Sequence, residues 1–210
     1  MSSINIEKGI IGLIADSHSK YSLMTRAIDI LLDLGAEELI HLGDICDSLM
    51  PEKMDTAVEI LNKYKIKAVK GNNECSIISE YLVNHPNTHE DSSISFLKKL
   101  PYTITLSNIC FTHSTPQDWP AATRQPIANY LPIIKGNNPP FNIIFRGHSH
   151  KTSVIEIKND SIKNLVLEPS QRIQLQEDRI YVITVGAVED GICALYNNEN
   201  NELCFINFLV

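Results

Sequence analysis

Apolar runs that break off in polar residues recur three times in the first third of the chain: "GIIGLIAD" (9–16), "ELIHLGD" (38–44) and "IKAVKGNN" (66–73). Between the first two, Leu23, Ala27, Ile30, Leu31 and Leu34 repeat at helical spacing and Gly35 supplies a stop; between the second and third, Met54, Val58, Leu61 and Tyr64 repeat likewise. The order β-α-β-α-β predicts parallel strands joined by right-handed crossovers. It also brings the polar residue at the end of each run to the carboxyl edge of one sheet, where open α/β sheets bind ligands.

The pattern changes after a polar, His-containing stretch, "NHPNTHEDSS" (84–93). "YTITLSNICFTHS" (102–114) predicts a hairpin turning at Ser107-Asn108, and "NIIFRGHSH" (142–150) another strand that ends in polar groups. From 152 onward come short alternating strands, "TSVIEIK", "RIYVITVG", "GICALYNN" and "LCFINFLV", with no Pro/Gly/Ser linker before them. This predicts a second, more antiparallel sheet packed on the first within a single domain spanning 1–210. The closing "LCFINFLV" is expected to leave an edge open to another copy, while the oligomeric state itself is not readable.

Composition narrows the function. A hydrophobic fraction of 43% with 20% charged residues is that of a globular protein. Lys plus Arg is 18 and Asp plus Glu 25, a net charge of −7 that counts against nucleic acid as the partner. An acidic chain that handles phosphate must bring local positive charge, and a metal is one source. Cys46, Cys75, Cys110, Cys193 and Cys204 form no CxxC pair and are expected to be reduced, mostly core thiols. The apolar stretch near the N-terminus is too short for a signal peptide or a membrane span, so a cytoplasmic location without a membrane partner is expected.

The residues that end the strands carry the chemistry: Asp16 and His18 in "ADSH", Asp44 in "LGD", Asn72 and Asn73 in "KGNN", His113 in "FTHS", and His148 and His150 in "RGHSH". Five segments, each placed by its own strand, converge on one rim. Carboxylate, imidazole and amide oxygen without thiolate suit Mn, Fe or Zn. A two-metal centre needs a bridging carboxylate, and Asp44, on the middle of the three opening runs, is the natural bridge. At i and i+2 of an extended chain, His148 and His150 share a face, so that one strand end serves both metals.

The ordered series D-x-H, G-D, G-N, a lone H after a strand, and G-H-x-H resembles the calcineurin-like metallophosphoesterase superfamily over about residues 10–151. The short chain, "HSTP" after the lone histidine, and the tail resemble its small prokaryotic branch of phosphodiesterases and diadenosine-tetraphosphatase-like enzymes. "VGA" at 185–187 departs from that branch's tail motif. The resemblance implies an α/β, two-sheet β-sandwich flanked by helices, a four-layer αββα fold. It implies Asp16, His18, Asp44 and His150 around one divalent ion, and Asp44, Asn72, His113 and His148 around the other. Mn is the commonest activating ion in the family, with Fe, Zn and Ni as alternatives.

Asn72, Asn73 and His113 are the candidate catalytic residues. Asn73 stands where larger relatives carry a histidine that assists the leaving group, and an amide cannot act as an acid. The expectation therefore moves toward leaving groups that depart unaided, such as a nucleotide phosphate or an activated aryl ester. His85 and His89 are alternative acids if their loop covers the site. His41 is expected to face the helix layer as a structural residue, Arg146 to make a surface ion pair rather than reach a phosphate, and Trp119 to anchor its loop rather than stack on a base.

The expected activity is hydrolysis of a small phosphorylated substrate, a nucleotide included, by a hydroxide generated at two cations. The bond is a phosphodiester, a dinucleoside polyphosphate anhydride or a phosphomonoester, hence class 3.1, or 3.6 for the anhydride. A non-catalytic scaffold of the same fold and a metal-dependent nuclease are the alternatives. The filled ligand positions count against the first and the negative charge against the second.

Overall fold

After a two-residue strand β1 (Ser2–Ser3), the three opening apolar runs form β2 (Ile10–Ile14), β3 (Glu38–His41) and β4 (Lys67–Ala68). Each is shorter than its run because the chain leaves the sheet before its polar residues. The computed structural model describes residues 2–3, 9–85, 91–114, 141–159, 161–165, 167 and 171–209. Helix α1 (Tyr21–Asp33) follows β2 and buries Met24, Ala27, Ile28 and Leu31, spaced i, i+3, i+4, i+7. The expected stripe through Leu23, Ile30 and Leu34 is thus rotated. Leu34 lies beyond the helix end, where Gly35 turns left-handed at φ 90°, and its side chain is exposed. Helix α2 (Met54–Lys63) follows β3 and buries Ala57 and Leu61.

Two further helices were not predicted. Helix α3 (Asn72–Asn84) opens directly on the candidate ligand Asn72, and its only buried aliphatics are Ile77 and Ile78, too few to signal a period. Helix α4 (Ser92–Lys99) is announced locally by Asp91, whose side chain accepts the backbone N–H groups of Ser93 at 2.7 Å and Ile94 at 3.4 Å. The expected hairpin forms from β5 (Thr103–Leu106) and β6 (Ile109–Thr112), turning at Ser107-Asn108. Then come β7 (Ile143–Arg146), β8 (Ser153–Lys158), β9 (Ser161–Leu165), β10 (Arg172–Gln174), β11 (Ile180–Thr184), β12 (Ile192–Asn197) and β13 (Glu202–Asn207).

The strands make two mixed sheets, ordered β1-β5-β6-β7-β11-β8-β9 and β10-β13-β12-β2-β3-β4. Strands β2, β3 and β4 are parallel, as expected, and so are β6, β7 and β11. The late strands do not form a sheet of their own. Strand β11 pairs with β7 while β12 pairs antiparallel with β2, so the tail of the chain extends both sheets. The last apolar run is not the final strand of its sheet: β13 lies between β12, which pairs along Glu202–Asn207, and β10, which pairs with Glu202–Cys204.

Strand alternation divides the core into layers. Ile11, Leu13, Ile40 and Leu42 from one sheet meet Phe111, Phe145 and Ile183 from the other, all buried. The rings of Phe145 and Tyr196 sit 5.0 Å apart across this interface. The opposite face of the β2-containing sheet, with Ile14, Leu39 and Cys193, packs against Met24, Ile28, Leu31, Leu61, Ile77 and Ile94 of the four helices. Each such aliphatic contributes about 1.5–3 kcal/mol by leaving water. This is an α/β two-sheet sandwich with helices on its flank; the fourth layer, expected over Cys110, Ile144 and Val182 of the other sheet, is not among the described residues. Among those residues, no helix is long and apolar enough to cross a membrane.

Candidate metal centre

The loops after β2, β3, β4, β6 and β7 meet at one end of the sandwich. The β2 loop is laid on the β3 loop by backbone hydrogen bonds: the Asp16 N–H donates to Gly43 O at 3.1 Å, and those of Ser17 and His18 donate to Asp44 O at 2.9 and 3.1 Å. The β7 loop joins them, because the His148 N–H reaches both carboxylate oxygens of Asp16, at 3.1 and 2.9 Å. Five candidate ligands have left-handed backbones: Asp16 (φ 51°), His18 (41°), Asp44 (54°), His148 (74°) and His150 (59°). Such conformations cost on the order of 1–3 kcal/mol each and persist only where the surroundings over-determine them, as these hydrogen bonds do for Asp16, His18 and His148.

The left-handed turns correct one expectation. His148 and His150 are not neighbours on one face of an extended strand, because β7 ends at Arg146. Their rings instead reach different partners: His148 Nδ1 lies 3.1 Å from His113 Nε2, and His150 Nε2 lies 3.2 Å from His18 Nε2. One strand end still supplies both clusters.

Two groups of possible metal donors result. Asp16, His18 and His150 form the more open one: His150 Nε2 is 3.7 Å and His18 Nε2 4.0 Å from Asp16 Oδ1. Asp44, His113 and His148 form the buried one. Asp44 Oδ2 lies 3.4 Å from His113 Nε2 and 3.9 Å from His18 Nε2, and so faces both groups. Asn72 Oδ1 is 3.1 Å from His113 Nε2. His113 donates its Nδ1–H to the Leu42 carbonyl at 2.8 Å, which points Nε2 inward, as a lone pair when the ring is neutral. Oxygen and imidazole donors without thiolate fit divalent Mn, Fe, Zn or Ni.

Glycine before the ligand is a steric requirement. A Cβ at Gly147 would stand 2.6 Å from Asp16 Oδ2, and one at Gly71 would collide with Asp44 Oδ1. The G-N and G-H pairs therefore let neighbouring loops close on the same carboxylates.

The electrostatics follow from burying this cluster. Burial pushes Asp16 up to about 7, the nearby His113 opposing. Burial would also raise Asp44, but the His113 charge and the hydrogen bonds from His113 and Asn73 hold it well below the carboxylate range. Against burial, Asp44 pushes His113 up to about 9. Burial and the proximity of His18 lower His150. His41, buried on the helix side as expected, is pushed down to about 3 by burial and the charge of His113. Its Nδ1 accepts the Gly43 N–H at 3.2 Å, and its ring lies 2.8 Å from Ser17 Oγ through Nε2, tying the first two loops together as a neutral strut.

Several residues went unnoticed in the sequence. Glu74 is fully buried and accepts four backbone N–H groups, with Asp44 at 3.0 Å and Gly71 at 2.8 Å on Oε2, and Ile45 and Cys46 each at 2.9 Å on Oε1. Burial and the Asp44 charge push it up to about 7 against these bonds. Glu189 lies 3.1 Å from His150 Nδ1, and with Asp47 it lines the cavity of about 270 Å³ over the cluster. Asn73 lines this cavity too, but its amide donates to Asp44 Oδ2 at 2.7 Å and its oxygen accepts the Ser48 N–H at 3.0 Å.

Other candidates lie elsewhere. His85 stacks on Tyr81 at the far end of α3, about 18 Å of helix from Asn73 at ~1.5 Å per residue, and does not reach the cluster. Arg146 is buried rather than at the surface, and donates Nε–H to Gly147 O at 3.2 Å. His89 and Trp119 lie outside the described residues.

Residues 10–191 match the calcineurin-like phosphoesterase superfamily domain. No curated protein matches the sequence. Among solved structures, the chain is similar to a metallophosphoesterase from Sphaerobacter thermophilus, at 20% identity and a TM-score of 0.68 over 96% of this chain and 89% of that one. It is similar to a candidate diadenosine tetraphosphatase at 13% identity and a TM-score of 0.56, covering 98% and 96% of the two chains. It is also similar to an archaeal phosphodiesterase at 17% and 0.52, covering 94% and 98%. At these identities the likeness is one of fold. The match over most of the sequence, with two donor clusters at the loop ends, makes this chain a member of the calcineurin-like phosphoesterase superfamily and a metal-dependent phosphoesterase.

Proposed function

We propose that the protein hydrolyses a small phosphodiester or phosphoanhydride, a nucleotide included, using two divalent cations. Mn is the foremost candidate and Fe, Zn and Ni are the alternatives. Asp16, His18, Asp44 and His150 would hold one cation, and Asp44, Asn72, His113 and His148 the other. One observation carries the reading: Asp44 Oδ2 faces His113 Nε2 at 3.4 Å and His18 Nε2 at 3.9 Å, as a bridging carboxylate must. When bound, such cations act as Lewis acids on phosphoryl oxygens and lower the pKa of water to about 7.

The chain's own residues orient the rest. Helix α3 opens at Asn72, so the positive end of its dipole favours a phosphoryl group beside the clusters. Asn73 positions Asp44 and donates no proton, which supports substrates with good leaving groups, of class 3.1 or 3.6. The net charge of −7 supports a small substrate over nucleic acid, and five thiols without a disulfide support the cytoplasm.

Metal-stripped protein reloaded with Mn is expected to turn over bis-p-nitrophenyl phosphate or a dinucleoside tetraphosphate faster than p-nitrophenyl phosphate, with two metal equivalents by elemental analysis. No metal and no turnover would leave the non-catalytic scaffold. Asp44→Asn is expected to abolish both cation binding and turnover, and an active Asp44→Asn variant would sink the bridging role.

A further inference from the structure

Glu189 belongs to none of the five motifs. It lies in the short 3-10 turn Val188–Asp190 after β11, and that turn is fastened to the loop bearing Asp16 and His18. The Val188 N–H donates to Ala15 O at 2.8 Å, and the Glu189 N–H to Asp16 O at 3.4 Å. Glu189 Oε1 then sits 3.1 Å from His150 Nδ1 and 3.9 Å from His18 Nε2.

A carboxylate only accepts, so the hydrogen of a neutral His150 lies on Nδ1 and the lone pair on Nε2. That lone pair faces Asp16 Oδ1 at 3.7 Å. At the buried cluster the Leu42 carbonyl does the same for His113. His150 has the more exposed side chain, 35% against 0% for His113, and packing alone constrains it less. We propose that Glu189 is a positioning residue that fixes the tautomer and ring orientation of His150 for the cation held with Asp16 and His18. This rests on the ligand set proposed above. A carboxylate also makes the stronger, charge-assisted bond and raises the basicity of Nε2.

The test compares wild type, Glu189→Gln and Glu189→Ala. Titration calorimetry of metal-free protein with Mn gives the affinities, and nitrogen NMR of histidine-labelled, metal-free protein gives the tautomer of His150. Glu189→Ala is expected to weaken one of the two cation sites by about 10–100-fold, leave the other unchanged and lose the Nδ1–H preference. Glu189→Gln retains an acceptor and should keep the tautomer and most of the affinity. Unchanged affinity at both sites in Glu189→Ala, or an unchanged tautomer, would overturn the inference. So would a loss in Glu189→Gln as large as in Glu189→Ala, which would make Glu189 itself a ligand. A wild type that binds no cation would sink the ligand set instead, and the metal-free tautomer would still decide the role of Glu189.

Discussion

Asn73 holds Asp44 at both carboxylate oxygens, the backbone N–H donating to Oδ1 at 2.8 Å and the side-chain amide to Oδ2 at 2.7 Å. The same amide lies 3.4 Å from His18 Nδ1. The side chain that stands where a proton donor was sought therefore orients the proposed bridging ligand. Asn73→Ala is expected to weaken Mn binding by about 10–100-fold. At saturating Mn, turnover should then fall by the same factor on aryl phosphodiesters with good and poor leaving groups. A loss confined to poor leaving groups, read from the slope of rate against leaving-group pKa, would restore Asn73 to the leaving-group side.

Glu74 supports the same carboxylate from behind. Each of its oxygens accepts two backbone N–H groups, so an amide there would turn one acceptor into a donor facing two N–H groups. Leaving two buried donors unsatisfied costs about 2–6 kcal/mol. At pH 8.5, where Glu74 is ionised, Glu74→Gln is expected to lower metal-free stability by that amount in urea unfolding and to loosen Asp44. A variant within about 0.5 kcal/mol of wild type, the scale of an ordinary surface substitution, would mean that these bonds do not organise the loop.

The difference between Asp44 and Glu74 marks what the sequence reveals. Asp44, Asn72 and His148 were legible because each follows a glycine at the end of an apolar run, and parallel pairing brings such ends to one edge whatever the rest of the chain does. Glu74 and Glu189 were not, since their partners are backbone groups and rings brought near only by folding: Glu74 meets a loop some thirty residues earlier, and Glu189 arrives on a turn from the last part of the chain. Helix α3 was hidden because its opening residues serve the site rather than the apolar stripe. The sharing of β8 to β13 between two sheets was hidden because alternation specifies which face is buried, not which neighbour pairs.

Metal-free protein is expected to lose stability between about pH 6.5 and 9. His113 is raised from its ordinary 6.5 to about 9, so its contribution is complete below 6.5 and vanishes as pH rises through 9. Asp16 and Glu74, raised to about 7 from 3.8 and 4.5, act in the same direction, but their loss begins at those lower values and is complete soon above pH 7. His41, lowered to about 3, opposes them, but only below 6.5, where its unfolded form begins to charge. In the proposed ligand set a cation would take the place of the proton on His113, so Mn should raise the melting temperature more at pH 8.5 than at 6.5. Melting curves with chelator and with Mn at both pH values check this; a metal-free protein that gains stability over the interval would contradict it.

Gly147→Ala probes how tightly the first cluster is closed. The new Cβ would meet Asp16 Oδ2 at 2.6 Å and Ala15 Cβ at 2.8 Å. Neither neighbour can withdraw easily: Asp16 is fixed by the His148 N–H, and Ala15 O by the Val188 N–H. Overpacking of this kind costs about 1–3 kcal/mol. The strain falls on Asp16, which belongs to the more open donor group and not to the buried one. Gly147→Ala is therefore expected to lose one metal equivalent and retain the other, with turnover falling in step with the lost equivalent. Elemental analysis after dialysis separates this from general unfolding, which would remove both; two equivalents retained at wild-type affinity would show that the loops have room to part.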